Sequence, residues 1–273
     1  MTAVSLAPVE VRRGASPVIL SLPHTGTHVP GDVLDRLNGE GRRLRDTDWH
    51  VDRLYDGLLP QVTTVRATFH RYVIDANRDP SGASLYPGQN TTGLVPLTDF
   101  DDNPIWLPGA EPEEAETRRR LEAFHGPYHA ALAAEVRRVR ELNGVAILYD
   151  CHSIRSVCPF LFDGVLPDFN IGTNGGQTCD PSVEAAVEQI CARAKPYTHT
   201  VNGRFKGGWT TRHYGRPREG VHAIQMELAQ KTHLASEELP FAYDSGRASA
   251  LRIVLADILA RLSRLAGSLV SPN

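Results

Sequence analysis

Unbroken apolar runs mark the centre of this chain. Residues 18–22 (VILSL) run up to Pro23 and residues 145–149 (VAILY) run up to Asp150. Runs this short, closed by a proline or a polar cluster, predict strands buried on both faces. Segment 61–69 (QVTTVRATF) is rich in Val and Thr and predicts another strand, with the β signal resuming at 72–75 (YVID). Segments 159–163 (PFLFD) and 221–228 (VHAIQMEL) predict two more. In the last of these, Val221, Ala223, Gln225 and Glu227 share one face by the two-residue period of a strand.

Helical spacing is clearest over 113–142, where Leu121, Phe124, Leu132, Val136, Val139 and Leu142 form one stripe and Arg and Glu fill the other face. Pro127 should kink or divide this helix, and Gly144 stands where a helix C-terminal glycine belongs. A second stripe (Leu251, Val254, Leu255, Ile258, Leu259, Leu262) predicts a helix over 241–265. Shorter helices are expected over 182–194 and from about Trp49 through Leu54 to Leu58. Strands alternating with helices imply an α/β fold, a mixed, mostly parallel central sheet sandwiched between two helical layers. The expectation is a single domain over 1–273. Segment 79–112 breaks the pattern with ten Pro and Gly residues and little periodicity. A loop that long inside a domain is usually a lid or binding loop.

Composition narrows the function classes. A formal net charge of −3 with no basic block leaves no electrostatic reason to expect nucleic acid as a partner. No stretch approaches the roughly 20 apolar residues of a membrane helix, and the first residues lack a basic start followed by a long apolar run, so a cytoplasmic protein is expected. Cys151, Cys158, Cys179 and Cys191 form no CxxC pair and are expected to be free thiols.

Candidate chemistry gathers at predicted strand ends, where open α/β sheets bind ligands. His24 follows the first run within Ser21-Leu22-Pro23-His24-Thr25-Gly26-Thr27-His28. Taken alone it is equally a turn histidine, and Pro23, Gly26 and Pro30 argue against a helix that would pair it with His28. His152 repeats the placement in Tyr149-Asp150-Cys151-His152-Ser153, so the two imidazoles are able to converge on one metal ion, with Asp150 as an orienting acceptor. A Cys151–His152 nucleophilic pair is disfavoured because adjacent side chains diverge on an extended backbone. Asp46 and Asp48 either cap the helix that follows or supply the carboxylate a three-ligand catalytic site needs. Arg78, in Asp75-Ala76-Asn77-Arg78-Asp79, carries a planar fork suited to a carboxylate, or else pairs with Asp75 or Asp79; Arg71 lies just upstream. The stretch 202–215 interleaves glycines with Arg204, Lys206 and Arg212 and suits a small dianion better than a nucleotide, since its spacing is not that of a phosphate-binding P-loop. Glu227, inside an apolar strand, is either a buried ion-pair partner or a general base for an activated water.

Taken in order, SLPHTGTHVP, DTDWHVDRLYD, HRYVIDANRDP, YDCHSIRS, LPDFNIGTNGG, FKGGWTTRHYG and VHAIQMEL resemble the N-formylglutamate amidohydrolase (deformylase) family. That resemblance implies a fold similar to the zinc carboxypeptidases and hydrolysis of N-formyl-L-glutamate to L-glutamate and formate, the last step of a histidine degradation route. It further implies one divalent metal, zinc first, held by His24, His152 and an acidic ligand. The peptidases' His-x-x-Glu pair is missing, because Thr27 stands three residues after His24, so Asp48 is chosen over Asp46. Glu227 is then the catalytic base, and Arg78 with Asn77, helped by Arg212, Lys206 or Arg71, grips a small dianionic substrate. The alternatives are a metal-dependent hydrolase of another N-acyl amino acid or small peptide, and a non-catalytic binder of small acidic ligands.

Overall fold

The computed structural model describes residues 6–84 and 88–270. Its seven strands are β1 (Val9–Arg12), β2 (Val18–Leu22), β3 (Thr63–Ala67), β4 (Ala146–Ile154), β5 (Phe169–Gly172), β6 (His199–Val201) and β7 (Val221–Ala229), in the spatial order β1-β3-β2-β4-β7-β5-β6. The four inner strands β3, β2, β4 and β7 are mutually parallel. The outer strand β1 and the pair β5–β6 run the other way. All four parallel carboxyl ends therefore open on one edge of the sheet. The helices are α1 (Gly31–Leu34), α2 (Val51–Tyr55), α3 (Glu114–Arg120), α4 (Gly126–Asn143), α5 (Pro181–Arg193), α6 (Trp209–Tyr214) and α7 (Ser245–Leu265).

Strand alternation divides the core into two layers. Val18, Leu20 and Leu22 of β2, Tyr149 and Cys151 of β4 and Met226 of β7 pack with α2, α5 and α7. On the other face Ile19, Ala146, Leu148 and Ala223 pack against Tyr128, Leu132, Val136 and Val139 of α4 and Tyr214 of α6. Continuing that second face towards the carboxyl ends brings up Ser21, Asp150 and Gln225, paired in register, and then His152 opposite Glu227. The same alternation buries Cys151 in the opposite layer from His152, with its thiol directed at the Tyr149 carbonyl. The four cysteines are free and buried. Among the described residues no helix is long and apolar enough to cross a membrane.

Several expectations are corrected. Residues 72–75 are not a strand: the chain turns after His70, and Tyr72, Val73 and Ile74 are buried through tertiary packing rather than sheet pairing. Residues 159–163 form turns; Leu161 and Phe162 pack on a small cluster beside β4 instead of joining the sheet. Strands β1, β5 and β6 were not anticipated, being only three or four residues long. The helix over 113–142 is divided, as Pro127 predicts, but by a wider π-helical turn at Leu121–His125. Proline has no N–H for the carbonyl one α-helical turn back, and the backbone opens until Gly126 N–H reaches Leu121 O.

The described residues of 79–112 hold no helix or strand, yet the segment is packed. Ile105 and Trp106 are buried with Val33, Leu37 and Tyr72, and Trp106 Nε1 donates to Pro96 O at 2.8 Å. Leu85, Tyr86 and Pro87 of this segment fall outside the described residues. Trp106→Ala is expected to destabilise the protein by about 3–5 kcal/mol, read as a lower urea midpoint; an unchanged midpoint would mean that the segment contributes no core.

Candidate active site

Four neighbouring chain segments place the site. His24 leaves β2 through Pro23, and Gly26 follows where the Thr68 and Phe69 backbone leaves no room for a Cβ. His152 sits inside β4 and Glu227 beside it on β7. Asp48 lies on the loop before α2, and its N–H donates to His24 O at 3.0 Å, fastening that loop to the end of β2. The alternative in which Asp46 or Asp48 caps α2 does not occur: α2 has no side-chain cap, and His50 occupies the capping position with φ of 60°.

Three atoms face one another at the centre. His24 Nδ1 and His152 Nδ1 are 3.2 Å apart, and Asp48 Oδ2 lies 3.3 Å from His152 Nδ1 and 3.7 Å from His24 Nδ1. The outward atoms are taken: Asp75 Oδ1 meets His24 Nε2 at 2.7 Å, Asp150 Oδ2 meets His152 Nε2 at 3.0 Å, and Arg71 Nη2 donates to Asp48 Oδ1 at 2.9 Å. Asp48 Oδ2 is buried with no hydrogen-bond partner. Metal–ligand bonds of about 2.0–2.1 Å in a tetrahedron put ligands about 3.3 Å apart, so the donor set fits a divalent cation in type and in spacing. His24, Asp48 and His152 are the one such group among the described residues. Asp46 faces away, accepting from Tyr72 Oη and from the Phe100 N–H.

The electrostatics agree with this division. Burial pushes the Asp46 carboxyl up to about 7. Burial acts on Asp48 in the same sense, but Arg71 and the two histidines outweigh it and hold Asp48 below the ordinary carboxylate range. Burial would depress His152, yet Asp150 and Asp48 carry it well above the ordinary imidazole value. Glu227 is pushed up to about 8, mainly by burial, with His152 opposing and Asp48 reinforcing the shift.

A cavity opens over this centre. Its wall includes His24, His152, Glu227, Asn77, Arg78 and Arg71. Arg78 donates from Nε to Thr92 O at 2.8 Å and lies 3.6 Å from Asp75. The Asn77 side-chain amide is 3.2 Å from His152 Nε2 and accepts the Thr210 N–H at 2.8 Å. Arg71 reaches the cavity, but its guanidinium is committed to Asp48. Neither Lys206 nor Arg212 is on the wall. Lys206 is exposed, and Arg212 turns back along α6 to donate to Gly207 O at 2.9 Å. Arg204, from the same glycine-rich stretch, lines the cavity instead. The sequence signalled the stretch but not which of its cations turns inward, because that depends on how the turn after β6 closes.

His129 of α4 and His125 of the π-helical turn before it brace the segment that carries Asn77 and Arg78. His129 Nε2 meets Ala76 O at 2.7 Å and His125 Nε2 meets Arg78 O at 3.1 Å. Burial lowers both imidazoles, keeping them neutral donors. His125 belongs to the π-helical turn that Pro127 produces, so the divided helix supports the cavity wall through the Arg78 backbone. Sequence reading passed over both.

Comparison with known proteins places this arrangement among relatives. The family model of N-formylglutamate amidohydrolase matches residues 16–234. An N-formylglutamate deformylase of Pseudomonas aeruginosa is 47% identical over 252 residues, covering 92% of this chain and 94% of that protein. One of Pseudomonas putida is 45% identical, covering 92% and 93%. The crystal structure of N-formylglutamate amidohydrolase from Ralstonia eutropha JMP134 superimposes with a TM-score of 0.77 at 29% identity, covering 97% of this chain and 98% of that one. A gene product of Agrobacterium tumefaciens shares the fold, with a TM-score of 0.69 at 19% identity.

Gly208 sets how closely α6 approaches the site, since a Cβ there would collide with the Asn77 side chain. Gly208→Ala is expected to displace Asn77 from His152 and to lower kcat/KM by at least about tenfold, while costing roughly 1–3 kcal/mol of stability for the overpacking. Unchanged kinetics with intact folding would mean that Asn77 has no part in the site.

Proposed function

The chain belongs to the N-formylglutamate amidohydrolase family, and from that premise we propose that it hydrolyses N-formyl-L-glutamate to L-glutamate and formate, using one divalent metal ion, as the last step of a histidine degradation route. The observation that carries the reading is the convergence of His24 Nδ1, His152 Nδ1 and Asp48 Oδ2 at the base of a cavity that also holds Glu227 and Arg78. These three residues would hold the ion. Zinc is the first choice, because two imidazoles and a carboxylate leave one position open, although iron, cobalt and manganese accept the same donors. A cation held there supplies Lewis acidity, acidifying water and polarising a carbonyl oxygen.

The remaining roles belong to the protein's own groups. Arg78 and Asn77 bind a substrate carboxylate and orient the formyl carbon, so that attack is effectively intramolecular. Glu227 accepts the proton of the attacking water as the new C–O bond forms. It then delivers that proton to the nitrogen as the C–N bond breaks, releasing formate and the free amine. A carboxyl whose pKa burial has moved close to neutrality serves in both directions. Asp75 and Asp150 hold the outer nitrogens of the histidines and keep both Nδ1 atoms turned inward.

The test is formate release and metal content measured on one preparation. Stripping the metal is expected to abolish turnover, and adding it back to restore it. His152→Ala is expected to lose both metal and activity. Glu227→Gln is expected to keep its metal while kcat falls about 10²- to 10⁴-fold. Metal-free protein with undiminished turnover would defeat the reading.

Metal binding should also depend on pH. His152 holds its proton more tightly than an ordinary histidine, because Asp150 and Asp48 favour the charged form over the opposing effect of burial. The ion needs Nδ1 unprotonated, so a proton must leave for each ion bound there. Affinity is therefore expected to fall as pH drops below the raised His152 value and to level off above it. A chelator-competition titration across the neutral range, showing no rise in affinity with pH, would contradict this.

A further inference from the structure

Three guanidinium groups line the cavity, and their surroundings differ. Arg71 is tied to Asp48 at 2.9 Å, with Asp75 at 3.9 Å. Arg78 directly follows Asn77, whose amide is 3.2 Å from His152, so it stands beside the histidine–aspartate centre. Arg204 reaches the cavity from a different chain segment, and the loop 90–92 that accepts from Arg78 also accepts from it. It lies on the turn after β6, beside Leu161 and Phe205, with its guanidinium carbon 5.4 Å from the Phe205 ring centroid. Its Nε donates to Leu161 O and its Nη2 to Asn90 O, both at 2.8 Å. These carbonyls orient the fork.

A cationic group beside the reacting centre, a second cation brought by the turn after β6 and apolar surface from Leu161 and Phe205 suit a ligand with two anionic ends joined by a short apolar spacer. Resting on the deformylase reading above, we propose that Arg204 receives the side-chain carboxylate of the substrate and so determines the preference for a dicarboxylic N-formyl amino acid. The α-carboxylate is attached to the same carbon as the formylated nitrogen, so it must stay close to the centre, at Arg78. The γ-carboxylate lies two methylenes further out, where Arg204 presents a planar fork.

The experiment compares kcat/KM for N-formyl-L-glutamate and N-formyl-L-glutamine, which differ only in the charge of the distal group. The wild type is expected to favour the glutamate compound. Arg204→Gln is expected to shrink that preference about 10- to 100-fold, the range of a hydrogen bond to a charged group, with the change carried by KM. Arg204→Lys, which keeps the charge without the fork, is expected to retain an intermediate preference. Thermal melting and metal content accompany each variant, and the ratio of the two substrates is unaffected by any general loss of folded enzyme. A wild type active on N-formyl-L-glutamate, with Arg204→Gln losing both substrates in equal proportion, would overturn the assignment of Arg204 alone. A wild type inactive on N-formyl-L-glutamate would overturn the deformylase reading and this assignment with it.

Discussion

Asp48, Asp75 and Asp150 are closed off from solvent at the carboxyl edge of the sheet, and their charge has to be matched from inside the protein. An isolated carboxylate in that position would take up a proton rather than stay ionised. Arg71 stands between Asp48 and Asp75, His24 reaches towards the same two groups, and His152 links Asp150 to Asp48. Because Asp75 and Asp150 each engage an Nε2 atom, both histidines turn their Nδ1 atoms towards Asp48 Oδ2. Three atoms able to ligate a metal are thereby held together, an arrangement that the proposed cation would complete.

The sheet makes this possible at little conformational cost. Four parallel strands end along one edge, and alternation along β4 and β7 sends the apolar residues into two layers before presenting Asp150, His152, Gln225 and Glu227 on a common face. Strands carry His152 and Glu227, whereas His24, Asp48 and the cavity-lining cations come from loops. Arg78 opens the long segment 79–112, anchored by Trp106 in its own cluster, and Arg204 closes the turn after β6. On the proposed function, such a division would keep the β4–β7 side of the centre fixed while the loops set which molecule fits it.

Proline and glycine contribute through what they lack. Pro127 removes one N–H, the helix widens into a π turn, and His125 arrives beside His129 to hold the backbone on either side of Asn77. Gly26 and Gly208 lack a Cβ, which allows the His24 turn to lie against the Thr68 backbone and α6 to lie against Asn77. None of these three residues carries a reactive side chain, yet each bears on the placement of a residue in the cavity wall.

Local pattern was enough for the elements whose reasons are local. The apolar runs at β2, β4 and β7 are buried on both faces in the structure, and most of the predicted stripes of α4 and α7 cover them, with Leu142 left exposed. The same reading placed His24, His152 and Glu227 at strand ends. It mistook 72–75 and 159–163 for strands, because apolar residues buried by tertiary packing look the same along the chain as those buried in a sheet. It passed over β1, β5 and β6, whose three or four residues are too few to show a period. The approach of Asp48 to residues 24 and 152, the turning away of Asp46, and the choice of Arg204 over Lys206 and Arg212 depend on contacts between segments tens of residues apart or more. Those belong to the tertiary structure, since a side chain's direction at a loop is set by the surfaces the loop closes against and leaves no repeating mark in the sequence.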